Sequence, residues 1–322
     1  MEEYYYFNTE SHLNPKETES DLIPEEKETL FEDEELFTYE QLPDGTYSIR
    51  LKDRTNCPKS ISIPDKIASE GEEGEGGDIG AEANYCIPIT VSAIAERGFS
   101  DCKELTSIYI PKSVTFIGVE AFSGSGLVEI IVDSDNPVYR SEGNCIIDKY
   151  DGKIIAGCSV SVIPEDKSVT SIGDYAFSGC KELEDVYIPN NIEMIGQLAF
   201  HRCENIKKLT IGEGVDTISY GAFSSCSSLE TVTIPYGVRY IGAVAFAKCK
   251  NLKEAVIPGS VEILGGDIFS ECDNIREIIF EGSRSQWKRI HRADIMDSAR
   301  NDSVIFADDR GFSIFGRRKP RN

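Results

Sequence analysis

Phenylalanine recurs in this chain at a fixed interval of 23 residues, and this period restricts the possible folds more than any other feature of the sequence. Five phenylalanines follow one another at this spacing: Phe177, Phe200, Phe223, Phe246 and Phe269. Phe99 and Phe122 form an earlier pair with the same spacing, separated from the later five by one period plus 32 residues. A period of about 20–50 residues is typical of repeat architectures, in which each unit buries its apolar side against its neighbours.

Other residues keep the same period and define one repeating unit. Written out, the unit is L-x-x-h-x-h-P-x-x-V-x-x-I-G-x-x-A-F-x-x-C, where h is an apolar residue. The alternation h-x-h predicts a short strand with one buried face, which the following proline ends. The segment G-x-x-A-F-x-x-C predicts a single helical turn with its Ala and Phe directed inward. We therefore expect a solenoid with one strand in each turn.

The unit resembles the repeat of the BspA-type leucine-rich repeat family, which carries AFxxCxxL at its turn. The resemblance covers residues 46–306 and includes seven aligned repeats. Two further segments are similar to that family: FEGSRSQWKRI at 280–290, like its usual ending around a single Trp, and NCIIDKYDGKIIAGC at 144–158, like its hairpin insert. The resemblance implies a leucine-rich repeat solenoid of the α/β horseshoe type. Its parallel sheet would lie on the concave face, with short helical turns on the convex side.

The distribution of charge sets the expected domain boundaries. Residues 1–45 hold 15 acidic residues and two lysines, and they should form a disordered acidic tail. The solenoid is expected over 46–308, with about ten stacked strands, and 309–322 should be a basic tail. Within the solenoid we expect an acidic loop at 68–87, a β-hairpin insert at about 133–164, and a C-terminal cap with Trp287 at 281–308.

The formal net charge of −23 argues against nucleic-acid binding, because the neutralisation of phosphates requires a basic surface. No apolar run approaches the ~20 residues of a membrane-spanning helix. The N-terminal MEEYYYFNTESH lacks the basic and apolar regions of a signal peptide. The sequence as written is therefore expected in the cytoplasm, with a cell-surface or secreted location as the alternative. Ten cysteines without an export signal favour reduced thiols.

The repeated cysteine has several candidate roles. One thiol in each turn spreads the cysteines along a line, whereas zinc requires four ligands that converge in a tetrahedron. Disulfides between neighbouring turns are a further possibility, because the distance between the Cα atoms of stacked turns lies within the range that a disulfide allows. We interpret the column as structural, because cysteine is small, tolerates burial and is a weak hydrogen-bond donor. The predicted core contains Phe99, Phe122, Phe177, Phe200, Phe223, Phe246 and Phe269 together with Cys180, Cys203, Cys226 and Cys249.

The insert contains a different pair of cysteines. Asp151-Gly152 predicts a two-residue hairpin turn. This register places Cys145 directly opposite Cys158. Two thiols that face each other could oxidise reversibly if they are exposed, so the pair is a possible redox site. A packing contact across the hairpin is the alternative.

Residues that could support catalysis are scarce. The chain has three histidines, and His201 lies two residues from Cys203. Activation of a nucleophile also requires a positioned hydrogen bond and a third, orienting group, which the repeat does not supply. The glycine-rich segment 71–80 lacks the GK[ST] ending of a phosphate loop and the spacing of an EF-hand. We expect no enzyme activity, no cofactor, no bound metal and no small-molecule substrate.

Protein binding is the predicted function, because a horseshoe presents an extended inner surface. The outward positions of the strands predict a concave binding face with aromatic, aliphatic and charged side chains: Tyr109, Ile131, Tyr187, Glu129, Asp185 and Lys208. Tyrosine beside apolar residues is typical of interface hot spots, although strands favour these residue types in any case. We expect a monomer that binds an unidentified protein. The acidic tail could fold onto a basic partner or onto the basic tail of the same chain, and the resembled family implies the alternative of a bacterial surface adhesin.

Overall fold

The computed structural model describes residues 36–69, 87–292 and 304–306, and it is a β-solenoid of about nine turns with almost no helix. In chain order its elements are β1 (Phe37–Gln41), β2 (Tyr47–Leu51), β3 (Ser60–Ser62), β4 (Lys66–Ser69), β5 (Ile87–Ile94), β6 (Ser107–Ile110), β7 (Phe116–Ile117), β8 (Glu129–Val132), β9 (Tyr139–Glu142), β10 (Cys145–Asp148), β11 (Lys153–Ala156), β12 (Ser171–Ile172), β13 (Asp185–Ile188), β14 (Met194–Ile195), β15 (Lys208–Ile211), β16 (Thr217–Ile218), β17 (Thr231–Thr233), β18 (Tyr240–Ile241), β19 (Glu254–Ile257), β20 (Ile263–Leu264), β21 (Glu277–Phe280), α1 (Arg284–Arg289), β22 (His291–Arg292) and β23 (Val304–Phe306).

The strands predicted from h-x-h stack in parallel and form what we call the major ladder. It consists of three groups among the described residues: β3-β6-β8, β13-β15 and β17-β19-β21-β23. Side chains alternate along each strand, so that Val186 and Ile188 enter the core while Asp185 and Tyr187 face outward. The register advances by one repeat per strand, with Tyr187 opposite Thr210. Equivalent outward side chains of neighbouring strands therefore form rows.

A second set of parallel strands, here called the minor ladder, was not anticipated from the sequence. The two-residue strands β12, β14, β16, β18, β20 and β22 pair in sequence order and in register. In β14 the second residue, Ile195, enters the core and the first, Met194, faces outward. The V-x-x-I part of the repeat is therefore extended, and each regular turn of the solenoid contributes two strands rather than one.

The segment A-F-x-x-C forms tight turns in place of the predicted helical turn. Tyr175 and Gly179 have positive φ angles of 58° and 75°, which break any helical path. The amides of Tyr175, Phe177 and Gly179 donate to carbonyls of the next turn at 2.9, 2.8 and 2.7 Å. We call this row of bonds the turn ladder. Backbone groups are thus satisfied by the neighbouring repeat, whereas a helix would satisfy them within its own segment.

The phenylalanines stack inside the solenoid. The ring centroids of consecutive phenylalanines from Phe177 to Phe269 lie 4.9, 5.2, 5.3 and 6.0 Å apart. Phe99 and Phe122 form a second stack at 5.9 Å. The insert lies between the two stacks, which belong to separate core clusters. Also buried are Cys180, Cys203, Cys226 and Cys249.

The fold begins earlier than the sequence indicated. Strand β1 lies inside residues 1–45, which were predicted to be disordered, and it pairs antiparallel with β2. Phe37 is buried, and its ring centroid lies 6.3 Å from that of Phe99. One apolar side chain thus covers the N-terminal end of the phenylalanine stack. Residues 1–35 lie outside the described ranges.

Two other predicted segments overlap strands at their edges. The acidic loop expected at 68–87 begins within β4 and ends at the start of β5, and these two strands pair antiparallel. Residues 70–86 between them, and the basic tail at 309–322, lie outside the described residues. In the C-terminal cap, a capping box at Ser283 begins α1. Trp287 is buried there, with its ring centroid 4.9 Å from that of Phe280.

The insert contains three antiparallel strands, β9, β10 and β11, rather than a single hairpin. Strand β11 also pairs in parallel with β12. The insert therefore continues into the minor ladder.

The register predicted for the insert is wrong. The loop between β10 and β11 spans residues 149–152 instead of a two-residue turn, and the ladder shifts after Ile146, which pairs with Ala156. The longer loop and the shift move the register by one residue at that pair. Cys145 is consequently not directly opposite Cys158.

Candidate protein-binding face

Two of the predicted binding residues form a register pair on the outward side of the major ladder. Tyr109 of β6 lies opposite Ile131 of β8. The Tyr109 hydroxyl donates to Asp133 Oδ2 at 2.7 Å. Burial and this hydrogen bond to a carboxylate raise the pKa of Tyr109 above its usual range. The phenol therefore stays protonated, and its ring is held in place beside Ile131, whose surface is 41% exposed.

Glu129 lies on the same two strands. Its Oε2 accepts a hydrogen bond of 2.6 Å from the hydroxyl of Ser107, the residue opposite it in the register. The carboxylate is exposed and remains next to the Tyr109–Ile131 pair. This arrangement places a negative charge at the edge of an apolar contact.

The remaining predicted residues lie on a different group of strands. Tyr187 and Asp185 belong to β13, and Lys208 of β15 lies opposite Asp185. Tyr187 is 50% exposed. Within the described residues no strand pairing joins β8 to β13. The structure thus brings the six residues together as two groups of three, with part of the insert between them.

The turn between the two groups carries an exposed apolar side chain that sequence reasoning missed. Val162 is 70% exposed, and its amide donates to Gly143 O at 2.9 Å. The next residue, Asn144, contacts β8, because its Oδ1 accepts a hydrogen bond from the amide of Ile130. On the other side, Asn191 Nδ2 donates to Pro164 O at 3.1 Å. Val162 therefore lies between β8 and β13. The sequence Val162-Ile163-Pro164 matches x-h-P of the repeat, and this signal could have identified it.

The cysteine column has a defined bonding role in the repeats. Four thiols donate to the carbonyl of the phenylalanine in the preceding repeat, at 3.1–3.3 Å: Cys203, Cys226, Cys249 and Cys272. Burial raises the pKa of Cys203 and Cys226 well above the ordinary thiol value. Among the described cysteines none forms a disulfide. The thiols of Cys203 and Cys226 are therefore neutral donors inside the core.

Cys145 and Cys158 are also buried, free thiols. Burial raises the pKa of Cys145 to about 12. Oxidation proceeds through exposed thiolates with lowered pKa values, whereas both thiols are buried and the pKa of Cys145 is raised. The redox function of the pair stays a prediction.

The sequence neighbours His201 and Cys203 do not bond to each other. His201 Nδ1 forms a hydrogen bond of 2.7 Å with the Ser224 hydroxyl, while the Cys203 thiol donates to a backbone carbonyl. The described part of the chain has no group of three His, Cys, Asp or Glu residues placed to hold a metal ion. In the same residues no helix has the length and hydropathy needed to cross a bilayer.

The comparisons with known proteins agree with this architecture. The sequence model for the BspA type leucine rich repeat region matches residues 27–142 and 152–281, in six copies. None of the curated proteins matches the chain. The repeats of this family are generally non-catalytic.

The chain is similar to several crystal structures, including the following three. The pneumococcal vaccine antigen PcpA is 14% identical, with a TM-score of 0.52 over 84% of this chain and 90% of that chain. A leucine rich cell surface protein from Faecalibacterium prausnitzii is 20% identical, with a TM-score of 0.45 over 81% and 97%. A leucine-rich repeat protein from Bacteroides ovatus is 21% identical, with a TM-score of 0.42 over 84% and 76%. At these identities, PcpA supports the fold alone.

Proposed function

We propose that this chain, which belongs to the BspA-type leucine-rich repeat family, is a non-catalytic protein that binds a protein partner through the outward side of its major ladder. The observation that carries the proposal is the exposure of three apolar side chains, one on β8, one on the turn after β11 and one on β13: Ile131, Val162 and Tyr187. We call these three residues, together with Tyr109, the apolar patch. We further propose that the patch lies on the concave side of the solenoid.

The arrangement of the patch suits a protein interface. Contiguous exposed apolar surface is uncommon on monomeric proteins and marks interaction sites when polar groups surround it. Here the carboxylates of Glu129 and Asp185 flank the patch, and Lys208 adds a positive charge at one edge. The bond between Tyr109 and Asp133 orders one aromatic ring before binding, which reduces the entropy lost on association.

Strand propensity alone does not explain the patch. Strands favour Tyr, Ile and Val wherever they occur, and this accounts for Ile131 and Tyr187 without any partner. Val162, however, lies outside the assigned strands and is the most exposed of the three. A solvent-exposed valine in an irregular segment has no such local reason, and this favours a binding role for the three exposed residues.

An affinity capture from a lysate of the source cell, with quantitative mass spectrometry, tests the proposal. The patch variant carries Ile131→Asp, Val162→Asp and Tyr187→Asp, because the three carboxylates would place unpaired charges against an apolar partner surface. A matched control variant places three aspartates at exposed apolar positions elsewhere: Tyr220, Tyr236 and Ile263. Both variants must melt within a few degrees of the wild-type chain.

Loss of one captured protein in the patch variant alone, followed by loss of its binding in calorimetry with purified components, supports the proposal. Equal capture by the patch variant and the wild-type chain overturns it. The cell-surface adhesin, the monomeric state and a binding role for the acidic and basic tails stay predictions.

A further inference from the structure

The turn ladder is interrupted where the insert separates the turn around Phe122 from the turn around Phe177. The two turns touch at one end, where Gly124 N donates to Ser178 O at 2.9 Å. Farther along they enclose a cleft of about 350 Å³, with Ala156 and Gly157 of the insert among its lining residues. This volume falls in the range of about 300–1,000 Å³ that is usual for ligand sites. We call this space the insert cleft.

Backbone amides on one wall of the insert cleft lack acceptors. In the regular turns, the phenylalanine amide and the amide two residues before it donate to carbonyls of the next turn; this holds around Phe99, Phe177, Phe200, Phe223 and Phe246. In the turn that borders the cleft the equivalent amides belong to Glu120 and Phe122. Across the described ranges neither amide has a hydrogen-bond acceptor. Backbone N–H groups of folded proteins are almost always paired with a protein group or with water, so these two donors at the wall of the cleft are available to a partner.

The opposite wall offers an acceptor at the matching level. In the first regular turn, Val119 O accepts the amide of Arg97 at 3.0 Å. The equivalent carbonyl at the cleft is that of Asp174, and no amide within the described residues donates to it. The next carbonyl along, Ala176 O, is occupied by Gly157 N at 2.8 Å. The cleft therefore presents two donors on one side and one acceptor on the other.

We propose that the insert cleft binds a short extended peptide segment of a partner protein. Its carbonyls accept hydrogen bonds from the amides of Glu120 and Phe122, and one of its amides donates to Asp174 O. This is the bonding that a further turn of the solenoid would provide, and it corresponds to the addition of a strand to an open edge.

The lining of the insert cleft limits the side chains that the peptide can carry. Ala156, Gly157 and Ala176 present small groups, so a small residue fits at the inner position. The rim carries Lys153, which already pairs with Asp151 at 2.9 Å. The net charge of −23 on the whole chain favours a peptide with basic residues outside the cleft.

A library of random linear peptides displayed on phage, selected against the full-length chain, provides the probe. The test variant is Val119→Trp, because Val119 lines the insert cleft and is exposed. The matched control is Ala243→Trp, at the same repeat position in a regular turn. Tyr220 occupies this position in another repeat, so an aromatic side chain is compatible with the turn.

Selected peptides should bind Val119→Trp at least about tenfold more weakly than wild type and bind Ala243→Trp within about twofold. In the free chain, the Glu120 and Phe122 amides should exchange with solvent faster than those of Leu198 and Phe200, and bound peptide should protect them. Failure to enrich any peptide, or equal binding to both variants, overturns the proposal. Slow exchange of both amides in the free chain also overturns it. Because the apolar patch is left intact by Val119→Trp, this result is independent of the proposed function.

Discussion

Truncation of the buried Phe223 to alanine should destabilise the solenoid far more than truncation of an exposed phenylalanine such as Phe116. Phe223 is fully buried, and its ring lies 5.2 and 5.3 Å from the rings of the preceding and following repeats. Burial of a phenylalanine removes about 150–250 Å² from water, worth roughly 4–6 kcal/mol for the whole side chain. Alanine retains part of this burial, so we expect the free energy of unfolding to fall by about 3–5 kcal/mol.

Equilibrium denaturation in urea, followed by circular dichroism, measures this loss. The control is Phe116→Ala, because Phe116 is 59% exposed on β7 and its truncation should change stability by no more than about 0.5–1 kcal/mol. Native-state hydrogen exchange should show the loss concentrated in the turns next to Phe223, since each turn contacts only its neighbours. An unchanged midpoint for Phe223→Ala, or a loss equal to that of Phe116→Ala, would refute the stacked core.

Three further outcomes follow from the backbone, the side-chain bonds and the buried thiols. Val244→Gly should raise the free energy of unfolding by about 0.5–1 kcal/mol in thermal melts, because this β-branched residue has a φ of 51°. Relief of about 1–2 kcal/mol of backbone strain exceeds the entropic cost of glycine. A lower melting temperature contradicts this. Asn191→Ala should cost about 1–3 kcal/mol by denaturation, because its carboxamide donates to three carbonyls at 2.7–3.1 Å; an unchanged midpoint contradicts it. Cys145 should resist iodoacetamide at pH 8 in the folded chain and react after unfolding. Its pKa is raised to about 12, so its contribution to stability is complete below the unfolded value near 8.5 and is lost as the pH rises from there to about 12; rapid labelling of the native chain would contradict this.

The period of the phenylalanines predicted the solenoid, because one buried ring in each turn leaves the chain few ways to cover it. The alternation around Tyr187 also predicted which side chains of the major ladder face outward. The minor ladder gave no comparable signal. Strands as short as Met194–Ile195 hold a single inward residue, so their sequence shows only an isolated apolar position, and their pairing depends on neighbours 23 residues away.

The candidate binding site likewise has features that the sequence predicted and features that it did not. The repeat pattern aligned Tyr109 with Ile131, which lie opposite each other in the structure, but it gave no sign that the insert separates them from Tyr187. The insert register depended on one assumed turn, and a four-residue loop with a ladder shift moved it. The insert cleft was also beyond sequence reasoning, because its unpaired amides at Glu120 and Phe122 belong to an otherwise regular repeat. Within the described part of the chain these two amides lack acceptors because the insert separates their turn from the next one, which therefore does not supply the carbonyls that pair the equivalent amides elsewhere.

Hydrogen exchange of the chain with and without its captured partner tests the central claim most directly. We expect slower exchange in the partner complex over β6, β8 and β13, with no change over β16, β18 and β20 of the minor ladder. Protection confined to the minor ladder, or to segments outside the solenoid, would contradict the assignment of the major ladder as the protein-binding face.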